Sequence, residues 1–199
     1  MNQNKKGIHL VAILGSVRPN NFTAKALALV VDEIKKHPEI SIEVIDPGKL
    51  DLPFPGLGPS RDSDDLKKTI AEATGITMAT PEYHGSFSSV IKLVIENLGS
   101  PSALAGKPIA LLGVAAGQIG AIKALEHLRS VCSHVGALVL PGPTSVAGIN
   151  KAFDEQGRCL DEKIERRIRG VATILIDYIK GHICPKIALE QMVRGQADI

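Results

Sequence analysis

The chain has 199 residues, 44% of them hydrophobic and 22% charged, the balance of an ordinary globular protein with a substantial core. Its net charge of +2 is too small to announce a nucleic-acid binder. Aromatics make up 3% with no Trp, so the core has to rest on Val, Ile, Leu and Ala, as in a parallel sheet buried on both faces.

The start, MNQNKKGIHLVAILGS, places two lysines before an apolar run, as a signal peptide does. That run is only as long as one strand and offers no cleavage site, so it is read as a first strand, Ile8 to Leu14. No stretch approaches the roughly 18 to 20 apolar residues of a membrane span, and the protein is expected to be cytoplasmic. A helix from about Asn21 to Lys36 follows, with Leu27, Val30, Val31 and Ile34 at helical spacing.

A second strand, ISIEVID, leads into a Pro/Gly-rich stretch from Pro47 to Arg61. Asp62 to Asp65 offer an N-cap and acidic first turn for a short helix to about Ala73. The third strand is predicted over Ile76 to Thr80, followed by a helix from about Ser86 to Leu98. Gly106-Lys107-Pro108 turns into the fourth strand, IALLGV. The next helix, about Gln118 to His134, puts Ala121, Leu125, Leu128, Cys132 and Val135 on one face.

A fifth strand, ALVLP, ends at Pro141, and the last long helix runs from about Asp161 to Lys180. On that helix Lys163, Arg166, Arg167 and Arg169 alternate with Asp161, Glu162 and Glu165, the pattern of a solvated face. The tail, residues 181–199, is expected to dock as a short helix or to reach a neighbouring subunit. Five strands separated by helices predict an α/β fold, a doubly wound five-stranded parallel sheet with helices on both faces, as one domain over residues 1–199.

Two segments carry chemistry, and both fall where an open parallel sheet binds ligands, outside the carboxyl ends of its strands. Gly15-Ser16-Val17-Arg18-Pro19-Asn20-Asn21-Phe22-Thr23 joins the first strand to the first helix. Its hydroxyls, backbone amides and helix N-terminus can surround a phosphate dianion, and Arg18 adds a planar charged donor. GxGxxG and GxxxxGK[ST] are both absent, which disfavours a Rossmann dinucleotide and removes a P-loop triphosphatase. A hydroxyl-lined loop suits a terminal phosphate monoester, although an ordinary polar turn with Ser16 or Asn21 capping the helix has the same spacing.

The second segment is Thr80-Pro81-Glu82-Tyr83-His84-Gly85-Ser86. Pro81 is expected to stiffen a turn, Gly85 to permit unusual dihedrals and Ser86 to cap the following helix. A mere strand-to-helix turn accounts for the Pro and Gly but not for Glu, Tyr and His together.

With these two segments at this separation, the chain resembles the NAD(P)H-dependent FMN reductases, flavodoxin-like proteins that include quinone, chromate and azo-dye reductases. The resemblance covers about Ile8 to Leu140, including the Gly106-Lys107-Pro108 turn and the Ala115-Ala116-Gly117 loop. The family's phosphate loop reads Gly-Ser-x-Arg-x-x-Ser-x-Asn; Gly15, Ser16 and Arg18 match it, while Asn21 and Thr23 replace its Ser and Asn. The resemblance implies that Ser16, Arg18, Asn21, Phe22 and Thr23 hold the FMN phosphate end. It further implies that Pro81, Glu82, Tyr83, His84, Gly85 and Ser86, with Ala116 and Gly117, cradle the isoalloxazine ring.

His84 stands where the family has Asn, and is expected to be a positional substitute rather than a general acid. Lys92 and Glu96 look like the family's Lys and acidic residue, with a common Trp replaced by Asn97. FMN is then the cofactor, NADPH or NADH the cosubstrate, and no side chain is catalytic in the strict sense, because the flavin carries the hydride. The acceptor would be a small molecule: a quinone, a flavin, an azo dye or a metal oxyanion.

A homodimer or homotetramer is expected, with Ser88, Val90, Leu93, Val94 and Asn97 near the interface. The alternative within the fold is a flavodoxin-type electron carrier without hydride transfer, against which the pI of about 8.4 and the second segment both count. A hydrolase or phosphatase using Ser16 or Cys132 is disfavoured, since Ser16 has no G-x-S-x-G elbow and Cys132 falls in a helix. Cys132, Cys159 and Cys184 form no CxxC pair, and no histidine motif supports metal ligation.

Overall fold

The computed structural model describes residues 7–197; Lys5 and Lys6 of the leader-like start, and the last two residues of the tail, lie outside this range. Strand β1 (Ile8–Leu14) is followed by α1 (Phe22–Lys35), β2 (Ile40–Ile45) and α2 (Arg61–Glu72). Strand β3 (Gly75–Tyr83) folds back into β4 (Ser86–Phe87) before α3 (Ser89–Glu96). Then come β5 (Pro108–Val114), α4 (Ile122–His134), β6 (Leu138–Val139), β7 (Thr144–Val146), α5 (Ile149–Ala152), α6 (Glu162–Tyr178) and α7 (Cys184–Ala197).

The main sheet is parallel in the order β2-β1-β3-β5-β6, with β7 also paired to β5 and the short β4 antiparallel to β3. This is the doubly wound flavodoxin-like arrangement. The chain leaves β1 toward one edge, returns past it to β3 and continues toward the other edge, so the order reverses between β1 and β3.

Side-chain alternation along β1 feeds two separate cores. Leu10, Ala12 and Leu14 pack with α1 and α6 on one face, through Leu27, Val30, Ile34, Ile168, Val171 and Leu175. Val11 and Ile13 pack on the other face with α2, α3 and α4, through Leu66, Ile70, Ile91, Val94, Leu125 and Leu128. The aliphatic composition follows from this, because both faces of every central strand are covered.

Helix ends follow their caps. Asn21 Oδ1 accepts the Ala24 amide at 2.7 Å and starts α1. Helix α2 is capped by Ser60 in a reciprocal pair with Ser63, not by Asp62, which instead accepts the Asp51 amide. Helix α4 starts at Ile122 rather than near Gln118, because Gly120, at φ +80°, keeps the preceding residues out of helical geometry.

The predicted fifth strand, ending at Pro141, shrinks to β6, and the chain pairs with β5 again in a further strand, β7, that the sequence reading did not anticipate. Pro141-Gly142-Pro143 removes two ladder donors between β6, opposite Pro108 and Ile109, and β7, opposite Leu112 to Val114. Helix α5 and the Phe153–Cys159 bridge were not anticipated from the sequence.

The basic run on α6 is only partly a solvated face. Arg169 is 22% exposed and bonds Asp32 Oδ2 (2.6 Å), Glu33 Oε2 (3.2 Å) and Glu165 Oε1 (2.8 Å), clamping α6 to α1. Arg167 donates to the Ser145 carbonyl at 2.8 Å. Beyond α6 a π-helical turn, Ile179–Ile183, leads into α7. Ile183 and Cys184 pack against the core, while Ile187, Leu189, Met192 and Val193 are exposed.

The clamp makes stability acid-sensitive. Hydrogen bonding from Arg169 holds the Asp32 carboxyl below its usual range, and bonds from Lys36 and then Arg169 do the same for Glu33. Groups with lowered folded pKa stabilise above their unfolded values and lose that contribution as pH falls through the folded values. Arg169→Met should lower Tm by a few degrees at neutral pH and flatten its decline between about pH 5 and about pH 3 in thermal melts. A variant with the wild-type slope would contradict the assignment.

Candidate functional site

At the strand-order reversal the ends of β1 and β3 are bonded directly. The Gly15 amide donates to the Ala79 carbonyl at 2.7 Å, and the Gly15 carbonyl accepts from the buried Ser88 hydroxyl at 2.6 Å. Ser88 Oγ also caps α3, accepting the Ile91 amide at 3.2 Å, while its own amide donates to Thr80 Oγ1 at 3.1 Å. Any side chain at position 15 would collide, because a Cβ there would lie 2.3 Å from the Ala79 oxygen and 2.7 Å from Ile91 Cγ1.

From that anchor the first loop turns outward. Ser16 is 2% exposed, and its Oγ has no hydrogen-bond partner among the described residues. The other such hydroxyl, of Thr77, lies within β3. An unpaired buried hydroxyl is costly, so one at a ligand-facing loop points to a missing partner.

Asn21 Nδ2 donates to the carbonyls of Arg18 (2.7 Å) and Ser16 (3.3 Å), while its Oδ1 caps α1. Its carboxamide thus shapes the loop. Thr23 is buried, Phe22 half-buried and Arg18 exposed. The Phe22 and Thr23 amides, first in α1, take no acceptor among the described residues.

The second segment is a hairpin, not a strand-to-helix turn. β3 runs on through Pro81 to Tyr83, and Tyr83 pairs with Ser86 across the two-residue turn His84-Gly85. Pro81 is tolerated because the β1 ladder ends at Ala79, so Pro81 itself is paired only with β5 and has a free side for its missing amide. His84 and Gly85 both have positive φ, +51° and +73°, as a type I′ hairpin turn requires.

Asn and His are among the few non-glycine residues that enter this region readily, which accounts for His84 at a position where Asn is usual. Ser88, rather than Ser86, caps α3; Ser86 Oγ lies 3.1 Å from His127 Nδ1 on α4. Glu82 Oε2 accepts the Ala124 amide at 3.1 Å, and Tyr83 is 37% exposed with Arg18 Cζ 5.9 Å from its ring centre.

The third loop, after β5, is exposed at Ala116 and Gly117 and closes on itself through the Gly117 carbonyl, which accepts from Gly120 and Gly148. Three loops therefore meet at the carboxyl edge of the sheet. Lys92 and Glu96 form an ion pair along α3, and Asn97 ties that helix to the Pro53 carbonyl at 3.0 Å. Sequence reasoning named Thr80 only as the start of the second segment, expected Ser88 near an interface and did not single out Ser145; the contacts that give them their roles span 8 to 73 residues.

Other candidates are weaker. An open cleft of about 590 Å³ between α1 and α6 contains Arg169, whose charge is already met by three carboxylates. Burial pushes the Cys132 thiol up to about 12, so it is no thiolate nucleophile at neutral pH. Among the described residues no group of His, Cys, Asp and Glu can hold a metal ion, and no helix is long and apolar enough to cross a membrane.

Fold and site together define a flavodoxin-like protein with a polar loop and a two-residue hairpin turn at the switch point. The sequence pattern of the NADPH-dependent FMN reductases matches residues 8–151, and the chain belongs to that family. It is 31% identical over 168 residues to an NAD(P)H-dependent FMN reductase of Pseudomonas aeruginosa, covering 81% of this chain and 90% of that one. It is 30% identical over 145 residues to a 2-hydroxy-1,4-benzoquinone reductase of a Burkholderia species, covering 68% and 76%. Among solved structures, the flavoenzyme NAD(P)H:(acceptor) oxidoreductase FerB of Paracoccus denitrificans superposes with a TM-score of 0.73 at 25% identity, covering 88% and 98%.

Two backbone constraints can be checked by denaturant melts. Gly15→Ala should lose roughly 1–3 kcal/mol or more, because the clash is with backbone and cannot be relieved by rotamer change. At the turn, His84→Val should lose about 1–2 kcal/mol and His84→Asn almost nothing. Equal effects of the Val and Asn replacements would remove the conformational explanation.

Proposed function

We propose that the chain is an FMN-containing NAD(P)H-dependent reductase acting on a small-molecule acceptor, with a quinone the first to test. The observation that carries this reading is the buried, unpartnered Ser16 Oγ in the loop that leads into α1, whose first two amides take no acceptor among the described residues. A terminal phosphate of FMN fits there: its oxygens would take the Ser16 hydroxyl and the Phe22 and Thr23 amides, at the positive end of α1. Arg18, exposed at the rim, supplies a charge-assisted donor, and Asn21 holds the loop in shape through the Ser16 and Arg18 carbonyls.

When bound, FMN supplies the hydride chemistry between nicotinamide and acceptor. The chain's part is to place the ring. His84 and Gly85 present their amides from a hairpin fixed by its own geometry, Pro81 sets the strand beneath, and Ala116 and Gly117 border the site without bulky side chains. Tyr83, half in solvent, offers an aromatic edge to a planar ligand. The quinone preference is drawn from the Burkholderia relative's named substrate.

The same reading takes the protein as a single cytoplasmic domain assembled as a homodimer or homotetramer. On α3, Ser88 and Val94 are turned into the core and Asn97 is bonded to Pro53, so Val90 and Leu93 are the residues left to face a second copy. Light scattering at micromolar concentration should give at least twice the 21.1 kDa chain mass.

The purified protein should be yellow and release FMN on denaturation, identified by mass. Arg18→Ala should weaken FMN binding about 10- to 150-fold, corresponding to a lost charge-assisted bond of roughly 1.5 to 3 kcal/mol, and riboflavin binding far less. Equal losses for both ligands would remove the phosphate assignment. Failure to oxidise either nicotinamide with quinone or excess FMN present would favour an electron carrier.

A further inference from the structure

Helix α4 begins without a cap of its own. Its N-cap position is Ala121, at φ −105° and ψ 37°, which has no side-chain oxygen to offer. Two of its leading amides are nevertheless met from elsewhere. Ser145 Oγ of β7 accepts the Ala121 amide at 2.9 Å, and Glu82 Oε2 of β3 accepts the Ala124 amide at 3.1 Å.

A carboxylate at a helix N-terminus gains twice, from a charge-assisted bond and from the helix dipole. Glu82 is the residue on β3 just before Tyr83-His84-Gly85. Its side chain faces α4, so by strand alternation Tyr83 faces away, toward Arg18. Two further contacts join the same elements. His127 Nδ1 lies 3.1 Å from Ser86 Oγ, and the Gly85 Cα packs toward Lys123, a Cβ there falling 3.5 Å from Lys123 Cδ.

The hairpin needs such support, since β4 is only two residues long and a short isolated hairpin is marginal in water. We propose that Glu82 is a positioning residue that caps α4 across the site. It fixes the His84-Gly85 turn against the start of α4 and the loop preceding it, without itself contacting the flavin. This rests on the reading of the site as a flavin site. It changes the role of the acidic residue in the second segment from ligand to tether.

The test compares Glu82→Ala with Glu82→Gln, which keeps an acceptor oxygen. Amide hydrogen exchange is measured on the flavin-free proteins, and FMN and riboflavin affinities are measured by fluorescence titration. Glu82→Ala should speed exchange about tenfold or more at Ala124 and Ser86 while leaving the sheet centre, such as Leu112, within about twofold. FMN and riboflavin should weaken together, each about tenfold, because the ring loop and not the phosphate loop is disturbed. Glu82→Gln should stay within about threefold of wild type on every reading.

Unchanged exchange at Ala124 in Glu82→Ala overturns the proposal. So does Glu82→Gln losing flavin affinity as severely as Glu82→Ala while Ala124 stays protected, since the carboxylate would then act on the ligand directly. A uniform loss of protection across the sheet, rather than at α4 and the hairpin, would also overturn it in favour of a general stability role. If wild type binds neither flavin, the functional reading fails, and the exchange comparison still decides whether Glu82 holds the hairpin to α4.

Discussion

The bond from the Gly15 amide to the Ala79 carbonyl is the constraint on which the rest of the site depends. It exists because position 15 has no Cβ, which lets β1 close on β3 at the point where strand order reverses. The Ser88 hydroxyl doubles the link by donating to the Gly15 carbonyl while capping α3. The loop after β1 and the hairpin thereby leave the sheet from two strands whose ends are tied together. A site assembled this way pays little ordering cost when a ligand arrives, which is the meaning of preorganisation in binding.

Around that link, each loop is shaped by contacts other than those it offers a ligand. Asn21 spends its carboxamide on the Ser16 and Arg18 carbonyls and on capping α1, so that the Ser16 hydroxyl and the leading amides of α1 remain available. His84 and Gly85 adopt positive φ because the hairpin turn demands it. The division is consistent: the side chains of Asn21, Ser88 and Glu82 hold the loops, while the Ser16 hydroxyl is left without a partner among the described residues. It also explains why the family's Asn can be His at position 84 without changing the backbone.

Local signals in the sequence were sufficient for much of this. The apolar run of β1 and the helical spacing of Leu27, Val30 and Ile34 are short-range features that stand where expected, and the Asn21 cap is the one that an ordinary polar turn would also have. The candidate loops could be found because Ser, Arg and Asn cluster between a strand and a helix. What was not legible depends on neighbours in space. Pro81 looks like a strand terminator until β1 is seen to stop at Ala79. The fifth strand reads as ending at Pro141, and nothing local shows that the chain rejoins β5 at Thr144–Val146. Arg169 looks solvated until α1 brings Asp32 and Glu33 to it, and nothing local links Glu82 to an amide 42 residues away.

The central claim is that a preformed flavin phosphate site lies at the β1/β3 edge. It is tested most directly by amide NMR of the flavin-free protein titrated with FMN, with hydrogen exchange recorded before the first addition. The account predicts that the Gly15 amide already exchanges slowly without flavin, and that shift changes gather at residues 15–23, 83–86 and 115–118. Fast exchange at Gly15 until FMN is added, or changes centred on Thr173 and Ile174 in the cleft between α1 and α6, would contradict it.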